Sequence, residues 1–65
     1  MNKPPADHDI IIEFRQVGSY VKVSAIDPIT LTEVSIMGPL HESRERLKAT
    51  AVQKLHYVLN KKYNS

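Results

Sequence analysis

The sequence contains no cysteine, no tryptophan and only two glycines. Without cysteine the chain has no disulfide, no thiolate nucleophile and no cysteine-ligated zinc site. A small chain without disulfides is typical of a reducing compartment, so we expect a cytoplasmic location. The isolated glycines, Gly18 and Gly38, cannot form a glycine-rich loop that binds phosphate. These absences exclude disulfide-stabilised scaffolds and P-loop nucleotide sites.

Long apolar runs are also missing. No run approaches the length of about 18 residues that a transmembrane helix needs, and the N-terminal residues lack the apolar stretch of a signal peptide. The length of 65 residues allows one small domain, and the hydrophobic share of 42% is enough for that domain to fold. The formal net charge of +2 is too small to indicate a partner.

The first half of the sequence predicts a β-hairpin. Apolar and polar residues alternate near residues 9–17 and again near 20–27, which is the period of a half-buried strand. Gly18 and Ser19 lie between the strands and predict a two-residue turn in which the glycine has a positive φ. The register that follows pairs Val17 with Tyr20, Gln16 with Val21, Phe14 with Val23 and Ile12 with Ala25.

The second half predicts one more strand and a helix. Asp27-Pro28 favours a type I turn before a strand at 32–37. From 43 to 61 apolar residues recur with helical period, and Ser43 is a suitable N-cap. The apolar positions of this helix are Leu47, Ala51, Val52, Leu55, Val58 and Leu59.

We therefore predict an α+β fold. It consists of a three-stranded antiparallel sheet of order 1-2-3 and a C-terminal helix that covers one face. The covered face should contain Ile12, Phe14, Val23 and Ile36. The domain should span 9–62, after a disordered leader at 1–8 and before a frayed end at 63–65.

No residue pattern indicates catalysis. His8, His41 and His56 have no histidine partner at the spacing of a metal site, and no serine lies in a nucleophile motif. His8 lies between Asp7 and Asp9, a group that could hold a divalent ion weakly, although such groups are more often solvated. We expect no catalytic residue, no metal and no cofactor, and therefore a protein that is not an enzyme. The alternative is a small enzyme or metal protein whose site is shared across a dimer.

The uncovered face of the sheet is the first candidate site. One helix covers only one face of three strands, so apolar residues on the opposite face are either exposed or covered by a partner. The alternative is that scattered apolar residues are normal on a surface. We predict a homodimer, or binding to another protein, through the outer face or an exposed edge strand. The face is defined by Ile11, Val17, Tyr20, Ile26 and Met37.

A basic flank of the helix is the second candidate site. Residues 1–41 carry a net charge of −2 and residues 42–65 a net charge of +4. A basic flank that includes a tyrosine could contact the phosphates and stack on a base of RNA or DNA. The alternative is a solvated helix face whose lysines match the helix dipole. The candidate residues are Arg46, Lys48, Lys54, Tyr57 and Lys61.

Several short segments resemble a family of short bacterial proteins with no assigned activity. The likeness covers about residues 12–61 and brings no function. From the resemblance we expect glycine at the position of Leu31, so the second turn differs here. The segments are Glu13-Phe14-Arg15, Val17-Gly18, Val21-Lys22-Val23, Ala25-Ile26-Asp27-Pro28, Thr32-Glu33-Val34-Ser35-Ile36, Gly38-Pro39, Lys54-Leu55 and Tyr57-Val58-Leu59.

Two characterised architectures are similar in element order. The helix start resembles that of double-stranded-RNA-binding domains at Ser43, Arg44, Lys48 and Ala51, whereas Glu45 reverses a charge and the first helix of such domains is missing. The hairpin Gly18-Ser19-Tyr20-Val21 resembles that of HicB-type antitoxin domains, without their DNA-binding extension. These resemblances imply the β-β-β-α order and no specific ligand.

Overall fold

The computed structural model describes residues 9–64 as three strands followed by one helix. The strands form one antiparallel sheet of order β1-β2-β3, and the helix packs on one face of it. The predicted α+β fold is confirmed. The predicted leader at 1–8, with His8, lies outside the described residues, and the fraying at 63–65 stays a prediction. The elements are β1 (Ile11–Val17), β2 (Tyr20–Asp27), β3 (Thr32–Pro39) and α1 (Arg44–Asn64).

The predicted hairpin register is confirmed. Val17 lies opposite Tyr20, and each pair along the two strands is the one expected from the sequence. Gly18 has a φ of 60°, and no positive φ occurs at Ser19, which is the pattern of a type II′ turn. The Gln16 side chain donates a hydrogen bond of 3.2 Å to the Gly18 carbonyl. The short turn therefore fixes which side chains share a face.

β2 has its predicted bounds, and the other three elements differ from the prediction by one to three residues at an end. β1 begins at Ile11, because the position that Ile10 would oppose is Asp27, where β2 turns into the loop. Ile10 nevertheless lies buried in the core. β3 extends through Pro39, a residue tolerated here because it ends an edge strand. The helix continues to Asn64.

The helix lies off-centre on the sheet. Its apolar side contacts β2 and β3, and Val23 and Ala25 of β2 and Leu55 of the helix are fully buried. Of the four residues expected on the covered face, Val23 is buried, whereas Ile12, Phe14 and Ile36 are only partly buried. One helix is narrower than three strands, so the inner side of β1 stays half covered. The Arg44 guanidinium covers part of the Phe14 ring, 4.9 Å from its centroid.

Gly38 and Ser43 fix the start of the helix. A Cβ atom at Gly38 would collide with the Leu47 side chain, so glycine lets the first helical turn approach β3 closely. The Ser43 hydroxyl accepts a hydrogen bond of 3.2 Å from the Arg46 amide, which confirms the predicted N-cap. His41 is exposed in the preceding turn.

The loop between β2 and β3 is organised by Asp27, which is fully buried. Its carboxylate accepts hydrogen bonds from the Ile29 amide at 3.0 Å, the Thr30 amide at 3.4 Å and the Thr30 hydroxyl at 2.6 Å. Burial alone raises the pKa of Asp27, but these hydrogen bonds outweigh burial and hold the pKa below its ordinary value.

The loop closes one residue later than the predicted type I turn. The Leu31 amide donates to the Asp27 carbonyl at 2.8 Å, and Leu31 has a φ of 62°. This left-handed conformation suits glycine, the residue that the family resemblance led us to expect at this position.

Candidate interaction surfaces

The face of the sheet opposite the helix, here called the outer face, is arranged in four rows across the strands. Each row has one residue from each strand, and neighbouring rows lie about 7 Å apart along the strands. From the β2–β3 loop toward the hairpin, the rows are Ile11/Ile26/Glu33, Glu13/Ser24/Ser35, Arg15/Lys22/Met37 and Val17/Tyr20/Pro39.

Four of the five predicted apolar residues of the outer face lie in its two end rows, and Met37 lies in the third row. Ile11 and Ile26 form the first row with Glu33, and Val17 and Tyr20 pair in the fourth. Ile26 is half-buried, whereas Ile11, Val17, Tyr20 and Met37 are exposed; Tyr20 exposes 54% of its surface. The five predicted residues thus share one face but do not form one continuous patch.

The middle rows of the outer face are polar and charged except at Met37, which ends the third row on β3. The second row contains Glu13, followed by Ser24 and Ser35, whose hydroxyl oxygens lie 3.0 Å apart. The third row places Arg15 beside Lys22. An acidic row therefore lies next to a basic row at the centre of the face, a pattern that sequence alternation alone did not reveal.

The second candidate site, the basic flank of the helix, runs beside the free edge of β3. Arg46 and Thr50 line a shallow cleft with Gly38 and neighbouring residues of β3. The Lys54 ammonium donates a hydrogen bond of 3.0 Å to the Ser35 carbonyl. This contact covers part of an edge that could otherwise pair with another strand.

Two basic residues of this flank, Arg46 and Lys61, already make contacts within the domain. The Arg46 guanidinium lies 3.0 Å from the Glu42 carboxylate, and the Lys61 ammonium lies 5.7 Å from the centroid of the Tyr57 ring. Tyr57 itself exposes 62% of its surface. The flank therefore offers an exposed aromatic ring, and part of its positive charge is neutralised.

Lys48 lies on the other flank of the helix. It borders a shallow groove with Glu45, Val52 and the half-buried His56. The structure thus brings four of the five predicted flank residues to one side and separates the fifth.

Two apolar side chains at the tip of the β2–β3 loop were missed by sequence reasoning. Ile29 and Leu31 expose 77% and 80% of their surfaces. The carboxylate of Asp27 holds the backbone around them, so the loop presents both side chains to solvent. The sequence does contain a signal for these exposed side chains, because Ile29 and Leu31 alternate with threonines within the turn that Asp27-Pro28 predicts.

Among residues 9–64, no group of three histidine, aspartate or glutamate side chains could hold a metal ion. The helix of this described part is too polar to cross a membrane.

Comparisons with known proteins place the chain in one family. No curated protein and no solved structure shows significant similarity to it. The family model described as "Domain of unknown function (DUF6898)" matches residues 7–62, which include all three strands and most of the helix. On this match, the chain belongs to the DUF6898 family of domains of unknown function.

Proposed function

We propose that this domain is a non-catalytic interaction module that forms a homodimer through the outer face of its sheet. The observation that carries the proposal is the exposure of Ile11, Val17, Tyr20 and Met37 on a face opposite the helix. Within the described residues, the helix is the only layer on the sheet. We also propose a cytoplasmic location in a bacterium, which the cysteine-free composition and the family resemblance favour.

The small size of the domain supports this proposal. A chain of about 60 residues buries only about 60% of its unfolded surface, so it has little stability to spare. The off-centre helix leaves Ile12 and Phe14 only partly buried, which reduces the apolar area removed from water further. Association of two copies through the sheet removes additional apolar area without any change in the fold.

The size of the outer face sets the expected affinity. Three strands about 4.8 Å apart and about 25 Å long give a flat area of roughly 350 Å². A stable interface buries about 800 Å² on each partner. We therefore expect a dissociation constant between about 1 µM and 1 mM, so association has to be followed up to millimolar concentration.

Two tyrosines provide a matched test. Tyr20 is in the fourth row of the outer face and Tyr57 is on the helix, and both are about equally exposed. Sedimentation velocity up to millimolar concentration should show dimerisation of the wild type and of Tyr57→Ser. Tyr20→Ser should weaken dimerisation by about tenfold or more, because an aromatic side chain that is buried on association is removed.

The opposite pattern would contradict the proposal. If Tyr57→Ser impairs association and Tyr20→Ser does not, the helix is the interface. If the wild type remains a 7.4 kDa monomer at millimolar concentration, the homodimer proposal fails. Circular dichroism of both variants controls for unfolding.

The alternative function is binding of RNA or DNA by the basic flank. The observation that favours it is the exposed Tyr57 ring with Lys61 beside it and Lys54 on the same flank. If this flank binds single strands, Tyr57→Ala should cost about 1–3 kcal/mol through lost stacking. Lys54→Ala with Lys61→Ala should weaken binding and flatten its salt dependence by about one unit of slope per phosphate contact.

The control for this alternative is Lys48→Ala. Lys48 carries the same charge on the other flank of the helix, so its removal should change the affinity less than removal of Lys54. If the wild type retains neither single nor double strands at low ionic strength, the basic flank does not bind nucleic acid.

A further inference from the structure

We infer that the two copies of the proposed dimer stack face to face around a two-fold axis. The axis lies between the two sheets, parallel to them, and crosses the three strands at right angles. This inference rests on the proposed function, because it specifies how the outer face meets a second copy of itself. It follows from the order of the four rows, which on β1 reads apolar, acidic, basic and apolar from one end to the other: Ile11, Glu13, Arg15 and Val17.

The apolar ends match under this symmetry. An axis across the strands, at the level of Phe14 and Val23, reverses the order of the rows and keeps each strand opposite its own copy. Ile11 then faces Val17 of the second copy, and Ile26 faces Tyr20. On β1 and β2 the apolar end residues are therefore covered by those of the partner, and on β3 Glu33 faces Pro39.

The charged rows match as well. The same axis places the second row over the third, so Glu13 of each copy faces Arg15 of the other. These rows lie nearest the axis, where the twist of about 30° between stacked sheets displaces opposing residues least. Two symmetric ion pairs therefore form where β1 stacks on its own copy, midway between the two apolar end rows.

The distribution of net charge fits this stacking. Glu13 and Glu33 balance Arg15 and Lys22, so the outer face carries no net charge at neutral pH. The positive charge of the C-terminal segment lies on the helix, on the opposite face of the sheet. Stacked outer faces hold the two basic helices apart on the outer sides of the dimer, where water and salt screen their repulsion.

The other in-plane axis fits poorly. An axis parallel to the strands would place each row over its own copy and β1 over β3. Glu13 would then face Ser35, Arg15 would face Met37, and the two copies of Lys22 would face each other at the centre. Like charges directly opposed at an interface are unfavourable. The row order therefore selects the axis across the strands.

Charge exchange between two variants tests the inferred axis. Glu13→Arg and Arg15→Glu should each weaken self-association by about tenfold or more, because each creates two pairs of like charges. An equimolar mixture of the two variants should form a heterodimer of near wild-type affinity, because residues 13 and 15 that face each other across the interface then again carry opposite charges. The double variant Glu13→Arg/Arg15→Glu should regain self-association for the same reason.

The readout is sedimentation of the single variants, their mixture and the double variant at matched concentrations. Recovery in the mixture and in the double variant would support the axis, and it also shows that the single variants remain folded. If Tyr20→Ser disrupts the wild-type dimer but neither combination restores association, the inferred axis is wrong while the outer-face dimer stands. A monomeric wild type would overturn both.

Discussion

The buried carboxylate of Asp27 should contribute a large share of the stability of this small domain. Asp27→Asn keeps the shape of the side chain but removes its charge and turns one acceptor into a donor. Three groups of Ile29 and Thr30 donate to this carboxylate, and one of them would then face an N–H group. Hydrogen bonds to charged groups contribute about 1.5–3 kcal/mol, against about 0.5–1.5 kcal/mol for neutral pairs.

These values predict a loss of about 2–3 kcal/mol of unfolding free energy on Asp27→Asn. A chain of this size has a total stability of about 3–10 kcal/mol, so the change is a substantial part of the whole. Urea unfolding followed by circular dichroism at 222 nm measures the loss. Glu33→Gln is the control, because Glu33 is an exposed carboxylate on β3 and should change stability by less than about 0.5 kcal/mol.

The pH dependence of the free energy of unfolding, compared between wild type and Asp27→Asn, separates the contribution of the Asp27 charge from that of its packing. The pKa of Asp27 is lowered in the folded state, so the ionised carboxylate stabilises the fold above its unfolded pKa of about 3.9. This contribution is lost as the pH falls through the folded pKa. The gap between wild type and Asp27→Asn should therefore be widest near neutral pH and shrink in acid. A gap that does not change with pH, or equal stabilities near neutral pH, would refute the role assigned to Asp27.

Two other substitutions test the packing of the helix and the strain in the loop. Gly38→Ala should destabilise the domain by about 1–3 kcal/mol, because the new Cβ collides with Leu47. In urea unfolding, Gly38→Ala combined with Leu47→Ala should lower the free energy of unfolding by less than the sum of the two single effects. Leu31→Gly should stabilise the domain by up to about 1 kcal/mol, because the left-handed conformation is unfavourable for leucine and the gain exceeds the added chain entropy. A melting temperature that falls on Leu31→Gly would show that the exposed leucine is held by contacts rather than strained.

The sheet could be predicted from the sequence because two independent signals agree. Alternation defined the faces of β1 and β2, and Gly18-Ser19 defined the turn, so only one register satisfied both. The helix was predicted in the same way from its apolar period and the cap at Ser43. The lateral position of the helix on the sheet was not predictable. It requires the close approach of Leu47 to β3, for which Gly38 leaves room because it has no Cβ atom.

The order of charges on the outer face was only partly predictable. Alternation along β1 placed Glu13 and Arg15 on the outer side. The residues of β2 and β3 that complete their rows could be identified only from the register of all three strands. The separation of Lys48 from Arg46 was predictable, because residues two apart lie about 200° apart around a helix axis. Which of the two flanks lies beside β3 appears only in the structure. The bend at Asp27 was predicted, whereas the hydrogen bonds that close it involve Thr30 and Leu31 and appear only in three dimensions.

The central claim, that the outer face of the sheet binds a second copy, is tested most directly by a dilution series of two-dimensional ¹H–¹⁵N NMR spectra. As the concentration rises from micromolar to millimolar, the amide signals of Arg15, Tyr20 and Lys22 should shift along a common binding curve. The signals of Lys54 and Tyr57 on the exposed side of the helix should stay in place. Shifts confined to the helix, or spectra that do not change with concentration, would contradict the account.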